Sequence, residues 1–578
     1  MKTIMTVRWL PYAGSTLLAC LIGLTQLANA GDATNAGVAV SAGSGKYMAP
    51  LFDNLGPYHR KVSTDQPMAQ RFFDQGMTLF YGFEWNEAIR SFREAIRLDP
   101  LCAPCHWGLA IGLAHKAGPL DGSEYAQAKA AIDTARTLKG RASPVEQALI
   151  EALALRYRRA PAMPATSEDN PSCHPSAHMD KVLKQENSAY MRAMKKIMDR
   201  HPQDLDVKVL YGAAVFWAAP LPKVAAQDPN VGVATAAVQE VVRRDPTHAG
   251  AHHYLIHLAE AYPHRSIALP SADALRTLVP GAEHLVHMPS HIYFLLGRYH
   301  EATRSNIEAV AAFRKYEADS RAQGFEPEIN FLNMHDQDFL RTSAAMEGRR
   351  NLAVGSAREI TAAPFPDWLE KQASLQWYIP IGAFEMLRFG MWDEVLKMTM
   401  PEQKHAYATG MWHYAQGMAS AQTGNAQRAR EQSRALQTLI AGGETESMLG
   451  KDGHTLLKIA QAILTAKIAD SDGNSKLTLA SLRDAMKLQD GMRYHEPPDW
   501  YFPVTQALGD AYLKWGSPDR AAQMYRKALD RHPENGWSLF GLAASLRATG
   551  KSAEAAKVEE RFRAAWQNAD IARPVSLF

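Results

Sequence analysis

The chain has 578 residues, with 63 Lys and Arg against 60 Asp and Glu, a net charge of +3. Apolar residues make up 46% and charged residues 21%, the make-up of a soluble globular chain rather than a fibrous or disordered one. The near-balance of charge excludes a nucleic-acid binder that relies on a broad basic face, and four cysteines are too few for a disulfide scaffold.

In chain order, Lys2 and Arg8 precede the apolar run Leu17–Leu27, which ends in Ala28-Asn29-Ala30. This is the pattern of a signal peptide over residues 1–30, cleaved near Ala30. The run is too short to span a bilayer, and no later stretch reaches about 18 uninterrupted apolar residues. A periplasmic or secreted protein without a membrane span is expected. Cleavage leaves Cys102, Cys105 and Cys173. An odd count in an exported chain means at least one thiol that is free, ligating or paired with another chain.

Residues 31–65 read as an N-terminal extension, and repeats begin after it. Gly76, Ala88, Phe92, Ala95 and Pro100 are separated by 12, 4, 3 and 5 residues, and Gly509, Ala521, Tyr525, Ala528 and Pro533 show the same spacing. These are the small, aromatic and helix-stop positions of a tetratricopeptide repeat (TPR). Small residues let two antiparallel helices touch, the aromatic fills the groove beside them, and proline stops the second helix. Weaker copies carry Gly297 and Ala302, Gly417 and Ala429, and Ala543 and Ala555. The predicted fold is all-α, a TPR-like α-solenoid, with one array over 66–350 and a second over 351–578.

Such an array is by itself a scaffold for a protein or peptide on its concave surface. Other residues point further. Cys102-Ala103-Pro104-Cys105-His106 opens a helix after Pro100. In an exported chain it admits three readings: covalent haem c with His106 as axial ligand, a disulfide or redox pair, or a metal site shared with Cys173 and His174.

The segments Ala251–Ala261 and Glu283–Tyr293 carry two i, i+4 histidine pairs, His253 with His257 and His287 with His291. Each residue of the second pair lies 34 positions after its counterpart. The pairs therefore occupy equivalent places on first helices of consecutive repeats, which pack about 8–10 Å apart. Four imidazoles are expected to converge on the concave face, with Pro289 starting a helix and leaving His287 just before it. His284 flanks the cluster, Met288 sits inside it, and His252 should point to another face. His335 is a fifth candidate ligand, with Asp336 or Asp338 to orient a histidine. Imidazole pairs without an intervening carboxylate lean toward copper or zinc, and the nearby Met288 thioether and the exported location favour copper over zinc or iron. If the chain is an enzyme, a copper oxidoreductase is the natural class; a non-catalytic scaffold and a haem protein are the alternatives.

The run Gly281–Tyr293 resembles a signature of exported bacterial tetratricopeptide-repeat proteins. The same family carries C-x-x-C-x-W-G, matched by Cys102, Cys105, Trp107 and Gly108. It also carries H-x-x-x-H, matched by His253 and His257, and E-P-P-x-W-Y, matched by Glu496, Pro497, Pro498, Trp500 and Tyr501. The resemblance covers roughly residues 70–550 and implies the solenoid fold. His106, Asp338 and Thr505 depart from the family pattern, where an aromatic, a histidine and a basic residue are usual.

Overall fold

The computed structural model describes residues 47–115, 122–158, 181–218, 228–260, 265–327, 332–362, 365–443 and 451–578. The expected signal peptide and the segment Cys173–His178 lie outside these residues. Residues 45–578 form one compact unit, and every regular element described in it is a helix. The fold is an all-α TPR solenoid.

The small-and-aromatic spacing does what the sequence implies. Phe92, on helix Trp85–Leu98, fills the slot between helices Pro67–Tyr81 and Ala103–His115. A Cβ on Gly76 would come within 2.6 Å of its ring, and one on Gly108 within 2.5 Å. Near the other end Tyr525 takes the same place against Gly509 and Gly541, at 2.8 and 2.2 Å. Interiors packed this closely have no room for one more methyl group.

Seven turns between described helices repeat one device. Gly297, Gly348, Gly390, Gly424, Gly473, Gly516 and Gly550 each stand two residues before the next helix and adopt φ between 70° and 83°. Only glycine takes that left-handed conformation without steric cost. The first pair is the exception. Its turn places Phe83, φ 59°, at the equivalent position before helix Trp85–Leu98.

Two large apolar cores result, one running from Ala49 to Met346 and one from Met334 to Leu577. Both draw on helix Leu332–Met346. The array also makes contacts far beyond neighbouring repeats. Tyr316 donates its hydroxyl to Glu87 at 2.6 Å, and Gln323 accepts the Leu51 amide at 2.9 Å. The indole of Trp537 donates to the Ala345 carbonyl at 2.8 Å. Asp570 accepts the amides of Arg350 and Asn351 at 2.7 and 2.8 Å. Segments as far as 272 residues apart in sequence therefore meet.

Candidate metal centre

Helix Ala249–Glu260 presents His253 and His257 one turn apart on one face. As the sequence suggests, Pro289 opens a new helix, Pro289–Leu295, and His287 ends the preceding one, Glu283–His287. Met288, at φ −51° and ψ −35°, keeps the backbone helical across the junction, so His287 and His291 still share a face. His335 and Asp336 come from helix Leu332–Met346.

All six candidate histidines meet. Ring centroids are 4.7 Å apart for His253 and His257, 5.1 Å for His253 and His284, 4.9 Å for His287 and His291, and 4.9 Å for His287 and His335. The two groups touch through His284 with His287, at 5.5 Å, and His257 with His291, at 6.0 Å. The rings are buried: His253, His257, His284, His287 and His291 are 0% exposed and His335 is 4%. Phe83 from the first turn, Phe216 and Phe339 pack against them. Phe83 lies 4.5 Å from His253 and stacks on His257 and His284 at 5.6 and 5.3 Å. Phe216 stacks on His257, and Phe339 packs on His291, each at 4.5 Å.

Behind the rings lie hydrogen-bond acceptors. His253 Nδ1 donates to the Tyr81 carbonyl. His257 Nδ1 faces Glu260 Oε2 at 3.4 Å. His287 Nδ1 donates to Asn306 Oδ1 at 2.6 Å, with Asp336 Oδ1 at 3.2 Å. His291 Nδ1 donates to Glu496 Oε2 at 2.6 Å, with Glu260 Oε1 at 2.9 Å. An acceptor on Nδ1 fixes the proton there and leaves Nε2 as a lone-pair donor. The Nε2 atoms of His287 and His291 then face each other at 2.9 Å. Burial holds His253, His284 and His287 well below the usual histidine range, and neighbouring imidazoles push the same way. These rings are neutral at pH 7, the form that binds metal.

Among the described residues, four groups of three have donor atoms within 4.8 Å of one another: His253, His257 and His284; His287, His291 and His335; His284, His287 and Asp336; and Glu260, His291 and Glu496. Sequence reasoning did not assign Glu260 or Glu496. Glu260 was legible, three residues after His257 on the same helix face. Glu496 lies 205 residues from His291, and no periodicity announces that contact. Of the two acids after His335, Asp336 faces the cluster while Asp338 pairs with Arg341. His252 turns away, to Ser271 Oγ and the Pro246 carbonyl, both at 2.9 Å.

Cys102 and Cys105 belong to none of these four groups. Cys102 and Cys105 form a disulfide, Cα atoms 5.3 Å apart, and both are fully buried. Each sulfur is bonded to its partner, so neither is a free thiol for a haem thioether. His106 Nε2 sits 3.0 Å from the Pro100 carbonyl instead of facing an axial position. Of the three readings of this motif, the structure carries the disulfide pair.

Residues 507–570 match the tetratricopeptide-repeat family model. The chain carries tetratricopeptide repeats. No curated protein matches the sequence. Solved structures that share helical repeats include yeast Tom70, at 10% identity and TM-score 0.29, covering 86% of this chain and 90% of that one. The human IFIT1 dimer with m7Gppp-AAAA gives 10% identity and TM-score 0.31, covering 84% and 94%. The fold assignment rests on the helix pairs and the matched repeat. TPR arrays are protein-binding scaffolds, and among the described residues no helix is long and apolar enough to cross a membrane.

Proposed function

We propose that this chain is an exported TPR protein built around a buried transition-metal centre, with His253, His257, His287 and His291 as its core donors and copper as the preferred metal. The observation that carries the reading is the polarity of the imidazoles. Each of the four has an acceptor at Nδ1, the arrangement by which metal-binding histidines are held and their basicity raised.

Two lone pairs facing each other at 2.9 Å repel unless a cation lies beside both. Donors about 2.0–2.1 Å from one ion, at roughly 90–109°, stand about 2.9–3.3 Å apart. The carboxylates Glu260, Asp336 and Glu496 widen the donor set beyond imidazole alone. Because Glu260, Asp336 and Glu496 face Nδ1 atoms, the inward donors remain imidazoles, which suit copper as well as zinc and iron. Bound there, copper supplies one-electron redox chemistry. The protein holds the rings, keeps them neutral and excludes water with Phe83, Phe216 and Phe339.

The test is metal analysis of untagged protein with its visible spectrum. Stoichiometric metal that is lost in His257→Ala and His291→Ala, with helix content retained, supports the reading. A wild-type chain with no stoichiometric copper, zinc or iron overturns it and leaves the scaffold alone.

A further inference from the structure

We propose that the centre holds two ions side by side, one on His253, His257 and His284 and the other on His287, His291 and His335; this rests on the metal reading above. Among the described residues no one group of donor atoms within 4.8 Å of one another holds all six imidazoles, and two of the groups are triads that share no residue.

The sequence builds the triads from different elements. The first takes two residues of helix Ala249–Glu260 and one of helix Glu283–His287. The second straddles the Pro289 junction and takes its third imidazole from helix Leu332–Met346.

His284 gives the second, independent sign. It is 0% exposed, and neither of its ring nitrogens has a hydrogen-bond partner. The Nε2 of His253, equally buried, has none either. A polar group buried without a partner is costly, and three such nitrogens in one triad mark a place where a ligand supplies the missing bonds.

The two triads adjoin. Asp336 lies beside both, its carboxylate within 4.8 Å of donor atoms on His284 and His287. Ions in two-metal sites stand about 3.5–4 Å apart, a separation compatible with triads whose nearest rings are 5.5 and 6.0 Å apart.

The probe is Cu(II) titrated into the full chain after chelator treatment, read as bound copper per chain and as electron paramagnetic resonance intensity. Wild type should take two equivalents. Its signal should rise to the first and fall towards the second, as neighbouring ions couple. His284→Ala and His335→Ala should each hold one equivalent with a full uncoupled signal. Saturation of wild type at one equivalent, a signal that grows in proportion through both, or two equivalents retained by either variant overturns the proposal. If the variants fail to fold, the wild-type titration decides alone. A chain that takes no Cu(II), Zn(II) or Fe(II) sinks the metal reading itself, a result distinct from one equivalent.

Discussion

Phe83 occupies a left-handed turn position that seven other turns give to glycine. The strain there should be measurable by comparing Phe83→Ala with Phe83→Gly. The left-handed conformation costs an L-residue about 1–2 kcal/mol. The ring is 1% exposed, so truncation to alanine removes a full core side chain, about 3–5 kcal/mol, and leaves the backbone cost in place. Truncation to glycine loses the same packing and releases the strain, while its looser unfolded chain gives back about 0.4–1 kcal/mol. The glycine variant should therefore be the more stable of the two by about 0.5–1 kcal/mol, although both fall below wild type. In an ordinary helix the order is the opposite by about the same amount. The assay is urea unfolding of metal-free protein followed by circular dichroism, comparing midpoints rather than extrapolated free energies, since a long array need not unfold in two states. A midpoint for Phe83→Ala at or above that of Phe83→Gly would refute the strain argument.

Four further outcomes are expected. Glu496→Ala should lower metal affinity about 10–100-fold with little change in fold, read by competition with a chelator, because His291 loses the nearer of its two Nδ1 acceptors. The metal-free protein should lose stability as pH falls below about 6.5, where unfolded histidine takes up protons. His253, His284 and His287 are held below that value in the fold, so the unfolded chain binds more protons in this window and stability rises with pH. Urea midpoints that stay flat between pH 8 and pH 5 contradict this. Gly108→Ala should cost about 1–3 kcal/mol, since its methyl meets Phe92. Gly355→Ala, with nothing within 4 Å, should stabilise by up to about 1 kcal/mol, both glycine variants being read by the same urea unfolding. Replacing Cys102 and Cys105 by serine should cost about 2 kcal/mol, as the closed loop is very short, and leave metal content unchanged.

The repeat spacing made the helix pairs legible, because close packing forces glycine opposite Phe92 and Tyr525. The same register made the four principal histidines legible. His284 was visible as a neighbour, but its place in the first triad follows from its ring meeting that of His253, 5.1 Å away, which no 34-residue count expresses. The burial of the site was not legible. It depends on Phe83, Phe216 and Phe339 arriving from distant repeats, and sequence periodicity describes only how adjacent repeats stack. Glu496 shows the same limit: its motif was recognisable, while its contact with His291 exists only once the coil has closed.

That closure changes how the array can come apart. Most repeat proteins are nearly one-dimensional, each unit held by its neighbours and free to fray from an end. Here His253 reaches back 172 residues to Tyr81 and His291 reaches forward 205 to Glu496. A cation held between them would favour every intervening repeat at once, since whatever binds only the assembled state stabilises all of it. Occupancy would then act as a coincidence detector for completed folding: a chain with either end unzipped presents an incomplete set of donors, and the filled centre is reached only after the longest loops have closed.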